Sequence, residues 1–161
     1  MVAVVTLEEL RQKLQCQGFP LRIVNTDLPV GANGAPYNAN IVAEGGVPVA
    51  AVGKYRWCVE ATDTVALGTT FDLAVTNNAS PTVTAKPVNM CLTTAESGWV
   101  QGDSLGIKGK GVGGYVTSAA QTYDLTIFVR DNQNADAPPP VANDPDDNIV
   151  SRRFVIGING S

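Results

Sequence analysis

The sequence predicts a mainly β protein: a single antiparallel β-sandwich or barrel-like domain with one short N-terminal helix. Segments in which apolar and polar residues alternate recur about every ten residues, and Gly, Asn and Pro fill the turns between them. The chain of 161 residues is 44% hydrophobic and only 16% charged, which provides for one core and a polar, weakly charged surface. Such a surface suits docking against other protein, because few charges must be desolvated.

Residues 6–18 carry the pattern of a short amphipathic helix. Thr6 and Glu9 form a capping box, and Gly18 can supply the left-handed stop. An apolar stripe repeats on one helical face at Leu7, Leu10 and Leu14. We expect this stripe to pack on the protein's own core, with a neighbouring subunit as the alternative.

Strand patterns follow along the chain, and no later helix is predicted. They lie at 21–24, 41–42, 47–52, 54–60, 69–75, 82–84, 88–93, 99–107, 115–118, 123–130 and 152–158. Pro48 places its strand at a sheet edge, because proline has no N–H to donate. Trp57 lies on the apolar face of an alternating segment, so we expect it in the core.

The last two strands predict a hairpin with a long connection. Residues 131–148 contain four prolines and five aspartates, a composition too polar and too rich in proline for a core. The run Pro138, Pro139 and Pro140 would stiffen the connection as polyproline II. We interpret it as an outward-projecting loop. The full prediction is an N-terminal arm over 1–5 and a single β-rich domain over 6–161, with long loops at 25–40, 106–114 and 131–148.

Catalytic and ligand-binding motifs are weak. The chain has no histidine, which removes the commonest general base, although a metal-assisted or two-carboxylate enzyme stays an alternative. Gly109, Gly111 and Gly114 match a dinucleotide fingerprint, but the strand-like Tyr115 follows where a helix is required. The acidic stretch 144–148 lacks the glycine and glutamate of a calcium loop. We predict no catalytic residue, no cofactor and no metal.

The charge and the cysteine content limit which partners the protein can bind and in which cell compartment it is made. The net charge is −4 and basic residues are scattered, so we expect neither nucleic acid nor membrane as a partner. No secretory signal is recognisable at the N-terminus. Cys16, Cys58 and Cys91 are odd in number and widely spaced, which predicts three reduced thiols in a protein made in a cytoplasm.

The low charge, the lack of histidine, the apolar N-terminus before a short helix and the long Pro/Gly/Asn segments together resemble the decoration, or cement, proteins of tailed bacteriophage heads. The resemblance implies a non-enzymatic virion structural protein made in the host cytoplasm. It implies binding to the major capsid protein on the capsid exterior, stabilisation of the shell, and a homotrimer that holds neighbouring capsomers with its arms.

The resemblance also implies where contacts lie, since arms and loops make them in that group. The candidate partner-binding residues are Val2, Val4, Val5, Pro29, Pro36, Pro138, Pro139, Pro140 and Asp144. An alternative is a carbohydrate- or receptor-binding β-sandwich of a virion spike or tail. Exposed aromatic side chains would then form a sugar platform, with Trp57, Trp99, Tyr37 and Tyr115 as candidates.

Overall fold

The computed structural model of the chain describes residues 19–95, 98–132 and 148–160. The predicted arm over 1–5, the predicted helix over 6–18 and residues 133–147 of the terminal loop lie outside the described residues. The described residues form nine strands and one α-helix. They are β1 (Arg22–Ile23), β2 (Gly31–Ala32), β3 (Asn38–Glu44), β4 (Tyr55–Ala61), α1 (Thr64–Thr70), β5 (Phe71–Val75), β6 (Val100–Gly102), β7 (Ser104–Gly109), β8 (Gln121–Arg130) and β9 (Ile149–Asn159).

The strands form two sheets, which confirms a mainly β fold. The first sheet is antiparallel in the order β1-β3-β7-β5, and the second has the order β2-β9-β8-β4-β6. In the second sheet β2 runs parallel to β9, whereas the other neighbours are antiparallel. The second sheet is therefore mixed rather than purely antiparallel.

Side chains from both sheets meet in one hydrophobic cluster. Ile41 and Ile107 of the first sheet and Trp57, Ile127 and Ile156 of the second are all completely buried. The indole N–H of Trp57 donates to the Gly102 carbonyl at 3.0 Å, so its polar group is satisfied inside the core. The prediction that Trp57 is a core residue is confirmed.

The terminal hairpin is confirmed. β8 and β9 pair from Gln121 opposite Ile158 to Arg130 opposite Ile149. The predicted inward face is buried throughout, at Tyr123, Leu125, Ile127, Val129, Phe154, Ile156 and Ile158. Alternation found these strands because one face of each packs on the core.

Two of the predicted loops are wrong in part. The stretch 25–40 contains β2 and the start of β3, and its Leu28 and Tyr37 are buried, whereas Val30 is exposed. The stretch 106–114 is half strand, because β7 continues to Gly109. A Cβ on Gly109 would lie 2.2 Å from the Gly114 carbonyl oxygen. These glycines therefore mark a close backbone approach at least as much as a turn.

Several predicted strands are absent, and a helix was missed. Residues 47–52, 82–84, 88–93 and 115–118 form no named strand, and only isolated bridges such as Ala74 with Thr82 occur there. Three of the seven residues of helix α1 are threonine and one is glycine, so the helix has little intrinsic propensity. It begins where the Asp63 carboxylate accepts from the Ala66 N–H at 2.9 Å, and its Leu67 is buried in the core.

The prediction of three reduced thiols is wrong for Cys58 and Cys91, which form a disulfide with a Cα–Cα distance of 5.9 Å. After β5 the chain returns to β4, where the Lys86 N–H donates to the Val59 carbonyl at 2.8 Å. Residues 86–95, here called the flap, then carry Cys91 onto Cys58. Cys16 lies outside the described residues. The sequence separation of 33 residues gave no sign of this pairing.

The disulfide belongs to a second, smaller hydrophobic cluster on the outer face of β4. Cys58, Cys91, Trp99 and Phe128 are its buried members, and the rings of Trp99 and Phe128 meet edge to face at 6.4 Å. The buried Glu60 carboxylate accepts from the Cys91 N–H at 2.8 Å. The flap is thus held by a covalent bond, a buried hydrogen bond and aromatic packing.

Candidate functional site

The strand directions bring the start of β1, the end of β3, the start of β4, the end of β8 and the start of β9 to one end of the molecule. The β6–β7 turn joins the two sheets at this same end. We call it the arm end. It comprises the residues 19–22, 44–55, 101–103, 130–132 and 148–149. The opposite end, here the far end, comprises the residues 31–37, 109–116, 121–122 and 158–159.

A tight turn at Gly45 and Gly46 lies at the centre of the arm end. The Gly46 N–H donates to the Phe19 carbonyl at 2.8 Å, and the Asn132 N–H donates to the Val47 carbonyl at 2.8 Å. Phe19 is the first described residue, and Asn132 is the last before residues 133–147. The N-terminal segment and the acidic proline-rich loop therefore start from neighbouring residues of one turn.

Asp131 closes the base of that loop. Its carboxylate accepts from the Val47 N–H at 3.0 Å, from the Asn148 N–H at 2.9 Å and from the Asn148 side-chain amide at 2.9 Å. The residue is completely buried. The prediction that residues 131–148 all project outward is therefore wrong for Asp131, because hydrogen-bond donors compensate the burial of its carboxylate.

Both glycines of the turn have a positive φ, 78° for Gly45 and 64° for Gly46. A Cβ on Gly45 would lie 2.1 Å from the Pro20 carbonyl oxygen, and one on Gly46 would lie 2.3 Å from the Asp131 Oδ2. The absence of a side chain at these two positions thus lets the chain entry and the loop base approach the turn from either side.

Hydrogen bonds of the Tyr55 and Asp103 side chains stabilise the other turns of the arm end. The Tyr55 hydroxyl donates to the Gly45 carbonyl at 2.9 Å. Burial, and then the charges of Asp131, Glu44 and Asp103, raise the pKa of Tyr55, so the phenol stays a neutral donor. The Asp103 carboxylate accepts from the backbone N–H groups of Gly53 and Lys54 at 2.6 and 2.8 Å.

A side-chain hydrogen bond from Asn77, followed by the backbone donors, lowers the pKa of Asp103. Asn77 itself has a positive φ of 58°, a conformation that asparagine tolerates better than most residues. Asp103 therefore ties the turn after β5, the β6–β7 turn and the loop before β4 together as an ionised carboxylate.

A groove of about 630 Å³ opens beside the Gly45–Gly46 turn. Among the described residues it is lined by Phe19, Pro20, Arg22, Glu44, Gly45 and Gly46. Phe19 is 69% exposed, so its ring presents apolar surface, while Arg22 and Glu44 form an ion pair on the rim. A groove of this size accepts a small ligand or a row of apolar side chains.

The structure places the chain entry at Phe19 beside the base of the 131–148 loop, whereas the third predicted contact segment, 25–40, runs to the far end. Pro29 and Pro36 are exposed but lie away from the arm end: the Pro29 carbonyl accepts from Tyr37, and Pro36 bridges to Tyr115 at the far end. The other candidate contact residues lie outside the described residues, namely Val2, Val4, Val5, Pro138, Pro139, Pro140 and Asp144.

The aromatic candidates for a sugar platform are mostly internal. Trp57, Trp99 and Tyr37 are at most 5% exposed, whereas Tyr115 is 46% exposed. Burial raises the pKa of Tyr37 to about 12. The Arg130 guanidinium lies 5.7 Å from the Trp99 ring centroid. Three of the four rings therefore present no face on which a sugar could stack.

Within the ranges that the structure describes, His, Cys, Asp and Glu side chains form no group of three or more that could hold a metal ion. The helical part of the same ranges contains no segment long and apolar enough to cross a membrane. Comparison of the chain with protein-family models, with curated proteins and with solved structures finds no match.

Proposed function

We propose that this chain is a non-enzymatic virion structural protein that binds the outer surface of an assembled capsid and stabilises the shell. One observation carries the proposal: Phe19, where the N-terminal segment ends, and Asn132, at the base of the 131–148 loop, hydrogen-bond to adjacent residues of one turn. These are two of the three segments for which contacts are expected, and the third, 25–40, runs to the far end. Two tethered contacts on the same side of a small domain reinforce one another, because binding of the first raises the effective concentration of the second.

We propose further that the two sheets form one β-sandwich that serves as a rigid base for these segments. The shared hydrophobic cluster and the carboxylate-centred hydrogen bonds of Asp131 and Asp103 support this. A base that is already ordered restricts the entropic cost of binding to the segments themselves.

The proposed partner is the major capsid protein, with a homotrimer as the bound form and the capsid exterior as the location. Synthesis in the host cytoplasm agrees with this location if the Cys58–Cys91 disulfide closes after the particle leaves the reducing cell. The disulfide would then stabilise the fold outside the cell, where a damaged protein cannot be replaced.

The test uses capsids that lack the protein. Purified wild-type protein should co-sediment with them at micromolar concentration and raise the temperature at which they disrupt. A variant in which residues 133–147 are replaced by a short Gly/Ser linker, and a second that lacks residues 1–5, should each bind more weakly and protect less. Absence of wild-type binding would falsify the proposal, and binding to a glycan array instead would favour the carbohydrate-binding alternative.

The oligomeric form is tested separately by sedimentation equilibrium of the full chain. A homotrimer at high protein concentration is the expected result. A strict monomer over the whole concentration range would contradict the proposed trimer, while the co-sedimentation result would still decide whether the protein binds capsids.

A further inference from the structure

We infer that the groove beside the Gly45–Gly46 turn is the docking site for the leucine stripe of residues 6–18 of the same chain. The occupant is a segment of the protein itself, so the inference does not depend on capsid binding. It assigns an intramolecular contact surface to the groove that Phe19, Pro20, Arg22 and Glu44 line.

The chemistry of the groove fits an apolar guest. Phe19 and Pro20 provide apolar surface at the point where the described chain begins. Gly45 and Gly46 line the groove with backbone alone, because the space that their side chains would take is filled by the Pro20 carbonyl and by Asp131. Arg22 and Glu44 neutralise each other at the rim, which leaves no unpaired charge for an apolar segment to bury.

The position of the chain identifies the guest. The Phe19 carbonyl is fixed by the Gly46 N–H at 2.8 Å, so the 18 residues that precede it start at the groove. Gly18 permits a reversal of chain direction there. The narrow stripe of Leu7, Leu10 and Leu14 suits a groove better than a flat sheet face.

The energetics also require a surface for this segment. An isolated helix of fewer than about 12–15 residues is marginal in water, so the sequence-predicted helix over 6–18 needs tertiary contacts to persist. Each leucine side chain that moves from water into an apolar site would stabilise the docked segment further. The direct covalent tether at Phe19 keeps the effective concentration of the segment at the groove high.

Docking would have a consequence for the proposed function. With residues 6–18 seated in the groove, residues 1–5 would leave the molecule at the arm end, beside the base of the 131–148 loop. The two proposed contact segments would then project from a common side. Capsid binding can fail without affecting this contact, and the contact can fail without excluding capsid binding.

The test is amide hydrogen exchange of the full chain, measured by mass spectrometry on peptides that cover residues 7–18. We expect exchange about tenfold or more slower than in an unstructured peptide. Leu10→Asp, on the stripe, and Phe19→Ser, in the groove but outside the predicted helix, should both abolish the protection. Gln12→Asp, on the opposite helical face, is the matched control and should retain it. Protection of β8 and β9 reports that each variant is folded.

Three outcomes would overturn the inference. Exchange of residues 7–18 at the unstructured rate in the wild-type protein would show that nothing holds the segment. Unchanged protection in Phe19→Ser would show that the segment docks elsewhere. Protection that disappears on hundredfold dilution would instead place the segment in the groove of a second copy, because only an intermolecular contact depends on concentration.

Discussion

At the scale of single residues, Asp131 determines the geometry of the arm end. Its buried carboxylate accepts three hydrogen bonds from Val47 and Asn148. Asp131→Asn would turn an amide N–H₂ group toward donors, so at least one buried N–H loses its acceptor. We predict a loss of about 2–4 kcal/mol in the free energy of unfolding, measured by urea denaturation. The exposed ion pair of Asp124 with Arg153 provides the control, since Asp124→Asn should cost less than about 1 kcal/mol.

A substitution of Gly46 tests whether the Gly45–Gly46 turn lies as close to Asp131 as the structure indicates. Gly46→Ala combines a positive φ with a Cβ only 2.3 Å from the Asp131 Oδ2, whereas Gly34 has a comparable φ of 74° and open space around it. Gly34→Ala should therefore cost only about 1–2 kcal/mol of backbone strain. Gly46→Ala should cost at least about 1–3 kcal/mol more, as for overpacking in a core. Equal losses of unfolding free energy in the two variants would refute the close approach.

We predict that the stability of the fold depends on pH through the carboxylate of Asp103. Its hydrogen bonds with Asn77 and the backbone hold its folded-state pKa below the unfolded value. The ionised carboxylate therefore stabilises the fold above the unfolded pKa, and this contribution is lost as the pH falls through the lower, folded pKa. The difference in unfolding free energy between wild type and Asp103→Asn should be largest near neutrality and shrink below about pH 4.

Urea titrations of both proteins at several pH values measure that difference. The pKa of Asp124 is also lowered, by its hydrogen bond from Arg153, but this group is common to both proteins and cancels in the comparison. A difference that stays constant down to the acid unfolding limit would show that Asp103 is not held as the anion.

At the scale of elements, the flap depends on its disulfide. The Cys58–Cys91 bond closes a loop with a sequence separation of 33 residues, for which chain-entropy arguments give about 3–4 kcal/mol of stabilisation. We predict that a reducing agent lowers the melting temperature of the wild-type protein. The double variant Cys58→Ser/Cys91→Ser should melt at a lower temperature than wild type and lose its sensitivity to the reducing agent. Cys16→Ser, which keeps the disulfide, should retain that sensitivity.

The elements also show what sequence patterns can reveal. Alternation identified β4, β5, β8 and β9, because it records which face of a segment is buried. It does not record the partner of a segment. The parallel pairing of β2 with β9 joins residues 31 and 158, and the Asp131–Val47 contact spans 84 residues. Neither leaves a local signal.

The same limit applies to the candidate site. A pair of glycines such as Gly45 and Gly46 is typical of a turn, but the role of this pair depends on Pro20 and Asp131, which approach from distant parts of the chain. Glycine is ambiguous in the same way at Gly109, which lies in a predicted loop but marks a close approach of two backbone segments. Long-range contacts of this kind decide where the arms start, and they become visible only in the folded chain.

At the scale of the whole molecule, the proposed function assigns different roles to the two ends. The arm end would face the shell, while the far end would face outward. Val52, in the loop before β4, is 61% exposed at the arm end, and Val112 is 98% exposed at the far end. Replacing either exposed valine by aspartate removes little buried area, so both variants should keep the melting temperature of the wild-type protein.

These two valines therefore form a matched pair for the orientation of binding. Val52→Asp should weaken co-sedimentation with capsids by about tenfold, because the interface would have to desolvate a new charge near its centre. Val112→Asp should bind as the wild-type protein does. The measurement is a titration of capsids with each variant at fixed salt. Equal binding by both variants would remove Val52 from the contact, and selective weakening by Val112→Asp would reverse the orientation, with the far end against the shell.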